Sequence, residues 1–222
     1  MIPIRDENPT RRTPFVTVSF ILANCLVFFY QISLPPSVHA AFILQFGAVP
    51  NQILSPSAHL SNLPVHWLPI ITSMFLHGGL FHLGGNMLYL WIFGNNIEDR
   101  LGHIGFVFFY LAGGIAAAFT HILMQPNSTI PMVGASGAIS AVLGAYMILY
   151  PRARVVLLIW FFIFIRFVRV PAFLVLGIWF AMQISGVFSS PEASIAWYAH
   201  IGGFLAGVIL IMASGKSRKK QP

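Results

Sequence analysis

Charge is what this chain of 222 residues has least of. Its 12 Lys and Arg and 5 Asp and Glu make up 8% of the sequence, where a soluble domain of this size would carry roughly a quarter, or about 55 residues. That shortage excludes an ordinary soluble globular protein. Disorder is excluded as well, because 57% of the residues are apolar and 21 are Phe, whereas disordered chains are poor in apolar and aromatic residues. A bilayer is the solvent such a composition suits. Cysteine is nearly absent too: Cys25 stands alone inside an apolar run, so there is no intrachain disulfide and no cysteine-rich metal site, and a small packing role is its simplest reading. The five acids, Asp6, Glu7, Glu98, Asp99 and Glu192, all lie outside the long apolar runs. This argues against a proton-driven carrier and against an aspartyl intramembrane protease, which needs two buried carboxylates. No HExxH pair occurs, so a zinc protease lacks its ligands and its base. Neither a metal nor another cofactor is expected. The net charge of +7 is spread in short groups rather than gathered in a patch, which excludes nucleic acid as a partner.

What is present is a series of apolar runs. Residues 15–32, 105–124, 132–150, 171–188 and 195–213 each approach the 20 or so residues a spanning helix needs. A sixth run, 80–95, is short but is preceded by a weakly polar stretch from Trp67 to Leu80. The run 155–165 is strongly apolar, yet as a helix it rises only about 16 Å, half a hydrocarbon core. It is expected at the interface, packed against the bundle. Six spans with both termini in the cytoplasm put all 12 basic residues inside, including the basic tail within 214–222. A seventh span at 155–165 would set Arg152 and Arg154 opposite Arg166 and Arg169, against the positive-inside rule. Arg11 and Arg12 followed by an apolar run, with Val38-His39-Ala40 downstream, also fit a cleaved signal peptide. The run is long for a signal, and cleavage would leave every later orientation unchanged. The fold expected is therefore an all-α polytopic membrane protein. It forms one domain over 1–222, with a long outer connection from Ser33 to Leu80 lying on the membrane surface. Neither an internal repeat nor a second soluble domain is visible.

Polar residues at membrane depth are costly and therefore informative. The fourth run opens Gly134-Ala-Ser136-Gly137-Ala-Ile-Ser140-Ala-Val-Leu-Gly144, the sixth contains His200-Ile-Gly-Gly203-Phe-Leu-Ala-Gly207, and the second contains His82-Leu-Gly-Gly-Asn86. Counted from the inner ends of their runs, Ser136, His200 and His82 stand at one level, about 20 Å up. Ser136, Ser140 and Gly144 share one helix face, as do His200, Gly203 and Gly207. Two faces of small residues let backbones approach closely, bringing an imidazole within reach of a hydroxyl. Taken singly, each of these residues is as readily a packing residue; their conjunction points to acyl transfer. Ser136 is the candidate nucleophile and His200 its general base. With no carboxylate at this depth, the pair is a dyad oriented by packing and hydrogen bonds. His82 and Asn86, one turn apart, and the backbone N–H of Ser136 are candidate oxyanion donors.

These residues resemble the rhomboid family of intramembrane serine proteases, in its prokaryotic-type six-helix form. Gly134-Ala-Ser136-Gly137 resembles the family's GxSG motif, His200-Ile-Gly-Gly203 its histidine motif, and His82 with Asn86 its oxyanion motif. The resemblance implies a six-helix core with a partly embedded first loop. It implies a serine-type intramembrane endopeptidase with a Ser136–His200 dyad in a water-filled cavity open to the outside. It also implies single-pass transmembrane substrates that come in laterally and are cut near the outer face, in the plasma membrane of a prokaryote. His77 matches a supporting position, and Asn95-Asn-Ile-Glu98-Asp-Arg100-Leu-Gly resembles the family's cytoplasmic turn. Two positions depart from the pattern. Trp67 is followed by Leu68 rather than Arg, and the position one turn after the nucleophile, aromatic in some members, is Ser140. Support for His200 is therefore expected from Ser140 or from a neighbouring span. Because a helical peptide bond is shielded by its own hydrogen bonds, substrates should carry small or helix-breaking residues near the cut. Two other readings remain at this stage: a non-catalytic relative that binds transmembrane helices, and a small transporter. The presence of both Ser136 and His200 counts against the first. The lack of intramembrane charge and of inverted repeats counts against the second.

Overall fold

The computed structural model describes residues 2–55, 63–189 and 195–215. The helices are α1 (Phe15–Ser33), α2 (Pro36–Phe46), α3 (Pro50–Ile53), α4 (Leu63–Thr72), α5 (Leu80–Tyr89), α6 (Asn95–Leu101), α7 (His103–Met124), α8 (Ser136–Leu149), α9 (Ala172–Ser189) and α10 (Trp197–Ala213). The strands are β1 (Ile2–Asp6), β2 (Arg154–Phe161) and β3 (Phe164–Pro171). Helices α1, α7 and α9 are long and apolar enough to cross a bilayer. They turn large apolar side chains outward, among them Leu26, Phe108 and Ile178. Polar groups face the other way: α1 buries Thr17, Asn24 and Gln31 with Phe28. Lipid reverses the arrangement of a soluble helix, since a polar group left in hydrocarbon has no partner.

Several expected boundaries move. The second run does not stop at Asn95, because α5 continues through a π-helical turn at Leu90–Gly94 into α6. The fourth run is helical only from Ser136, so α8 has 14 residues and rises about 21 Å. The all-α expectation is corrected by a three-stranded antiparallel sheet of order β1-β2-β3. The run 155–165 is no helix: it is most of a β-hairpin, in which Val155, Val156 and Leu157 are buried while the tip from Trp160 to Ile165 is exposed. Its uninterrupted apolar sequence has no period to read, so β-branched and aromatic content was the only strand signal. Connection 34–79 holds α2, α3, α4 and a 3-10 turn, Ser73–Phe75. His59, Glu192 and the basic tail from Lys216 onward lie outside the described residues.

At the centre, α7, α8 and α10 pack most extensively on one another, around Tyr110, Leu143, Tyr146 and Phe204. The small faces on α8 and α10 meet. A Cβ at Gly203 would strike the Gly137 carbonyl, one at Gly207 the Ala141 carbonyl, and one at Gly144 the Phe204 carbonyl. A second, smaller cluster of Ala48, Ile53, Ile70, Ala118 and Ile122 holds connection 34–79 against α7, with Trp67 packed on it.

The end of the bundle opposite the cavity is tied by a carboxylate. Glu98 is fully buried and accepts from the backbone N–H of Val16 and Thr17, at 2.9 and 2.7 Å, and from Thr17 Oγ1 at 2.6 Å. His103 Nδ1 lies 2.6 Å from Oε1, the oxygen that also accepts from Val16. A carboxylate thus caps the first turn of α1, where unpaired N–H groups and the helix dipole favour negative charge. Burial pushes the Glu98 carboxyl up, but the hydrogen bonds from Thr17, Val16 and His103 outweigh it and hold the carboxyl below the usual value of 4.5. Folding therefore gains stability from Glu98 that is complete above that value and lost as pH falls through the lower folded pKa. Glu98→Gln should be less stable at pH 7 and should lose less further stability between about pH 5 and pH 3 than the parent. Thermal unfolding in detergent measures both, and parallel pH curves would dismiss the carboxylate as the cause.

Candidate active site

Ser136 begins its helix because the residues before it, from Met132 to Gly134, are held outside helical conformation. Met132 pairs with Ala48 in an isolated bridge, and the N–H of Gly134 donates to the Ser73 carbonyl at 2.9 Å. Gly134 has φ +125°, a conformation that favours glycine. A Cβ there would lie 2.7 Å from His82 Nε2 and 3.5 Å from Asn86 Nδ2. Gly134 is thus the point at which His82 and Asn86 of α5 meet the strand-like approach to Ser136. Gly137 is small for another reason: a Cβ would press on that of Ala117 in α7.

His200 lies in the first turn of α10, where its Nε2 is 2.8 Å from Ser136 Oγ. The two residues are 64 apart in sequence and are brought together by the close α8–α10 packing. The other ring nitrogen, Nδ1, lies 2.8 Å from Oε1 of Gln183 in α9. Gln183 Nε2 donates to the Trp179 carbonyl at 2.8 Å, which orients the amide and leaves Oε1 toward the ring. Nδ1 is then the protonated nitrogen, and Nε2 accepts from the Ser136 hydroxyl. Ser140 does not support His200: its hydroxyl donates to the Ser136 carbonyl at 2.6 Å. The rings near the imidazole are Trp179 and Trp197, with centroids at 6.0 and 6.3 Å. Of the two expected sources of support, the neighbouring span is the one observed. Gln183 was missed in the sequence, although a lone amide in an otherwise apolar run was a signal that could have found it.

His82 accepts from the Gly78 N–H through Nδ1 at 3.4 Å, which places the ring proton on Nε2, the atom turned toward Gly134. Asn86 is buried and its Nδ2 has no protein partner among the described residues. His77 is fully buried with its ring 5.1 Å from that of His82. Its backbone is clamped by the side chain of Gln31, whose Nε2 donates to the His77 carbonyl at 2.7 Å. Ser136, His200 and His82 all sit in the first turns of their helices, so three helix N-termini converge on one space. That space is a cavity of about 830 Å³, lined by His82, Asn86, Ser136 and His200 on its polar side and by Tyr89, Leu143 and Trp179 among its apolar walls. Among the described residues, no cluster of acidic, His or Cys side chains could hold a metal ion.

A family model described as the Rhomboid domain matches residues 64–217. The chain belongs to the rhomboid family. Among rhomboid relatives, "Rhomboid protein 1, mitochondrial" of Saccharomyces cerevisiae is 32% identical over 69% of this chain and 44% of its own length. "Rhomboid protease GluP" of Bacillus subtilis is 29% identical over 91% of this chain and 35% of its own. "Presenilin-associated rhomboid-like protein, mitochondrial" of Rattus norvegicus is 31% identical over 85% of this chain and 45% of its own. The chain therefore spans less than half the length of these relatives. In this rhomboid the matched region takes in α5 to α10, and with them all the residues of the cavity's polar side.

The constraint at Gly134 is testable on stability alone. Gly134→Ala should destabilise the rhomboid by about 1–3 kcal/mol, through backbone strain and displacement of His82. Gly84→Ala, where a Cβ meets nothing within 4 Å, should be neutral or slightly stabilising. Equal unfolding temperatures for the two variants would remove the constraint.

Proposed function

We propose that this rhomboid is a serine-type intramembrane endopeptidase that cleaves transmembrane substrates near the outer membrane face. The observation that carries the reading is the 2.8 Å contact between Ser136 Oγ and His200 Nε2 at the wall of a cavity of about 830 Å³. In acylation, Ser136 Oγ attacks the scissile carbonyl as His200 Nε2 takes the hydroxyl proton. The C–N bond then breaks and the same proton passes to the leaving amine. Water, activated by His200, attacks the acyl-enzyme and releases the new carboxyl end, and the proton returns to Ser136. The oxyanion formed in each half-reaction faces donors held in place before the reaction: His82 Nε2–H, the Nδ2 of Asn86, which has no partner among the described residues, and the N–H of Ser136 at the start of α8.

The membrane frame is part of the same proposal. Six spans within one domain place every basic residue on the inner side, with both termini in the cytoplasm and the membrane that of a prokaryotic cell. The apolar walls Tyr89, Leu143 and Trp179 suit a substrate segment that arrives from lipid, and the polar side suits the peptide bond once its helix is unwound.

Purified protein in detergent with a single-pass substrate tests the chemistry. Ser136→Ala and His200→Ala should each reduce product formation by roughly 10⁴-fold or more, and product that survives either change would exclude the dyad. Asn86→Ala and His82→Ala should lower kcat by about 10²–10³-fold with little change in KM. A rise in KM alone would mean that these two residues bind substrate rather than stabilise the oxyanion.

A further inference from the structure

We propose that Gln183 is a positioning residue for His200, so that the dyad works as a Ser136–His200–Gln183 chain with a neutral amide where soluble serine proteases use a carboxylate. The proposal rests on the serine endopeptidase reading above. Three observations point to it, two on α9 and one on α8. Gln183 is 5% exposed in a helix whose other buried residues are Ala172 and Leu176, and an amide left unpaired at that depth would be strongly unfavourable. Its donor is used within its own helix, on the Trp179 carbonyl, while its acceptor is aimed at the neighbouring helix and meets His200 Nδ1 at 2.8 Å. The position one turn after Ser136, where an aromatic ring could hold the imidazole, is Ser140, whose hydroxyl is committed to the Ser136 carbonyl.

The chemistry of the chain follows from what an amide oxygen can do. It accepts hydrogen bonds and takes no proton, so Nδ1 keeps its hydrogen and the lone pair of Nε2 stays directed at the serine. When His200 becomes positively charged during acylation, the amide dipole remains correctly oriented and the Nδ1–H bond strengthens. A buried carboxylate would do this more strongly, but it would have to be desolvated in the bilayer. An amide fixes tautomer and ring angle without that penalty. The rings of Trp179 and Trp197 bound the imidazole at 6.0 and 6.3 Å; neither supplies an acceptor for Nδ1–H.

The test compares the parent, Gln183→Met and Gln183→Glu in the full chain. Met has nearly the same length and no strong acceptor, and it is at ease in an apolar helix. Two readouts are taken: kcat and KM on a single-pass substrate, and the imidazole ¹⁵N–¹H signals of the protein labelled at histidine, with His200 assigned by its loss in His200→Ala. The expected result is a protected Nδ1–H signal for His200 in the parent that is lost in Gln183→Met. That variant should show a fall in kcat of roughly 10- to 100-fold, within the range general-base function supplies, with KM changed less than twofold. Gln183→Glu restores the acceptor and should recover most of the rate. A parent lacking the Nδ1–H signal, or a Gln183→Met variant with unchanged kcat, overturns the proposal. Activity that survives Ser136→Ala would instead overturn the endopeptidase reading. The NMR arm would still decide whether Gln183 sets the tautomer of His200.

Discussion

The close approach of two helix backbones is the constraint on which the rest of this rhomboid depends. Gly203 and Gly207 of α10 face the carbonyls of Gly137 and Ala141, and Gly144 of α8 faces that of Phe204. No side chain fits between them. In lipid no hydrophobic driving force presses helices together, so contact of this kind supplies much of the association. It also sets a distance: with the backbones this near, an imidazole on α10 and a hydroxyl on α8 meet at 2.8 Å. A larger residue at any of these glycines would part the helices and the pair together.

A second principle organises the polar groups. The bilayer admits few of them, and the amides and carboxylate that fasten the bundle are hydrogen-bonded. The amide of Gln183 is divided between its own helix and His200, Gln31 clamps the turn at His77, and Glu98 caps α1. The first turns of α5, α8 and α10 border the same space, so their backbone N–H groups lie beside a cavity rather than in hydrocarbon. Starting α8 at Ser136, part-way along an apolar run, makes this possible. Met132 and Gly134 before it give up helical bonding and are held instead by Ala48 and Ser73.

Much of the candidate site was legible in the sequence because its parts are local. A GxSG run, a His with small residues at helical spacing and a His four residues before an Asn are each short patterns whose residue types are out of place in lipid. The faces on which Ser140, Gly144, Gly203 and Gly207 lie followed from helical periodicity, and the structure packs them together. Where no period existed, the reading was incomplete. The apolar run at 155–165 alternates nothing and became a hairpin, and the second run continued past Asn95 through a π-helical turn that no spacing announces. Gln183 was overlooked because a single amide in an apolar helix says that a partner exists without saying which one.

Composition and spacing by themselves determined that this protein lives in a membrane, and which few polar residues stand at depth. Both follow from the free energy of placing single groups in hydrocarbon, a property each residue carries with it. The tertiary structure alone decided which of those groups touch. It placed Gln183 rather than Ser140 on His200, turned Asn86 and His82 toward Gly134, and began α8 at Ser136. Such pairings depend on how helices far apart in sequence are rotated and spaced, and no local pattern encodes that.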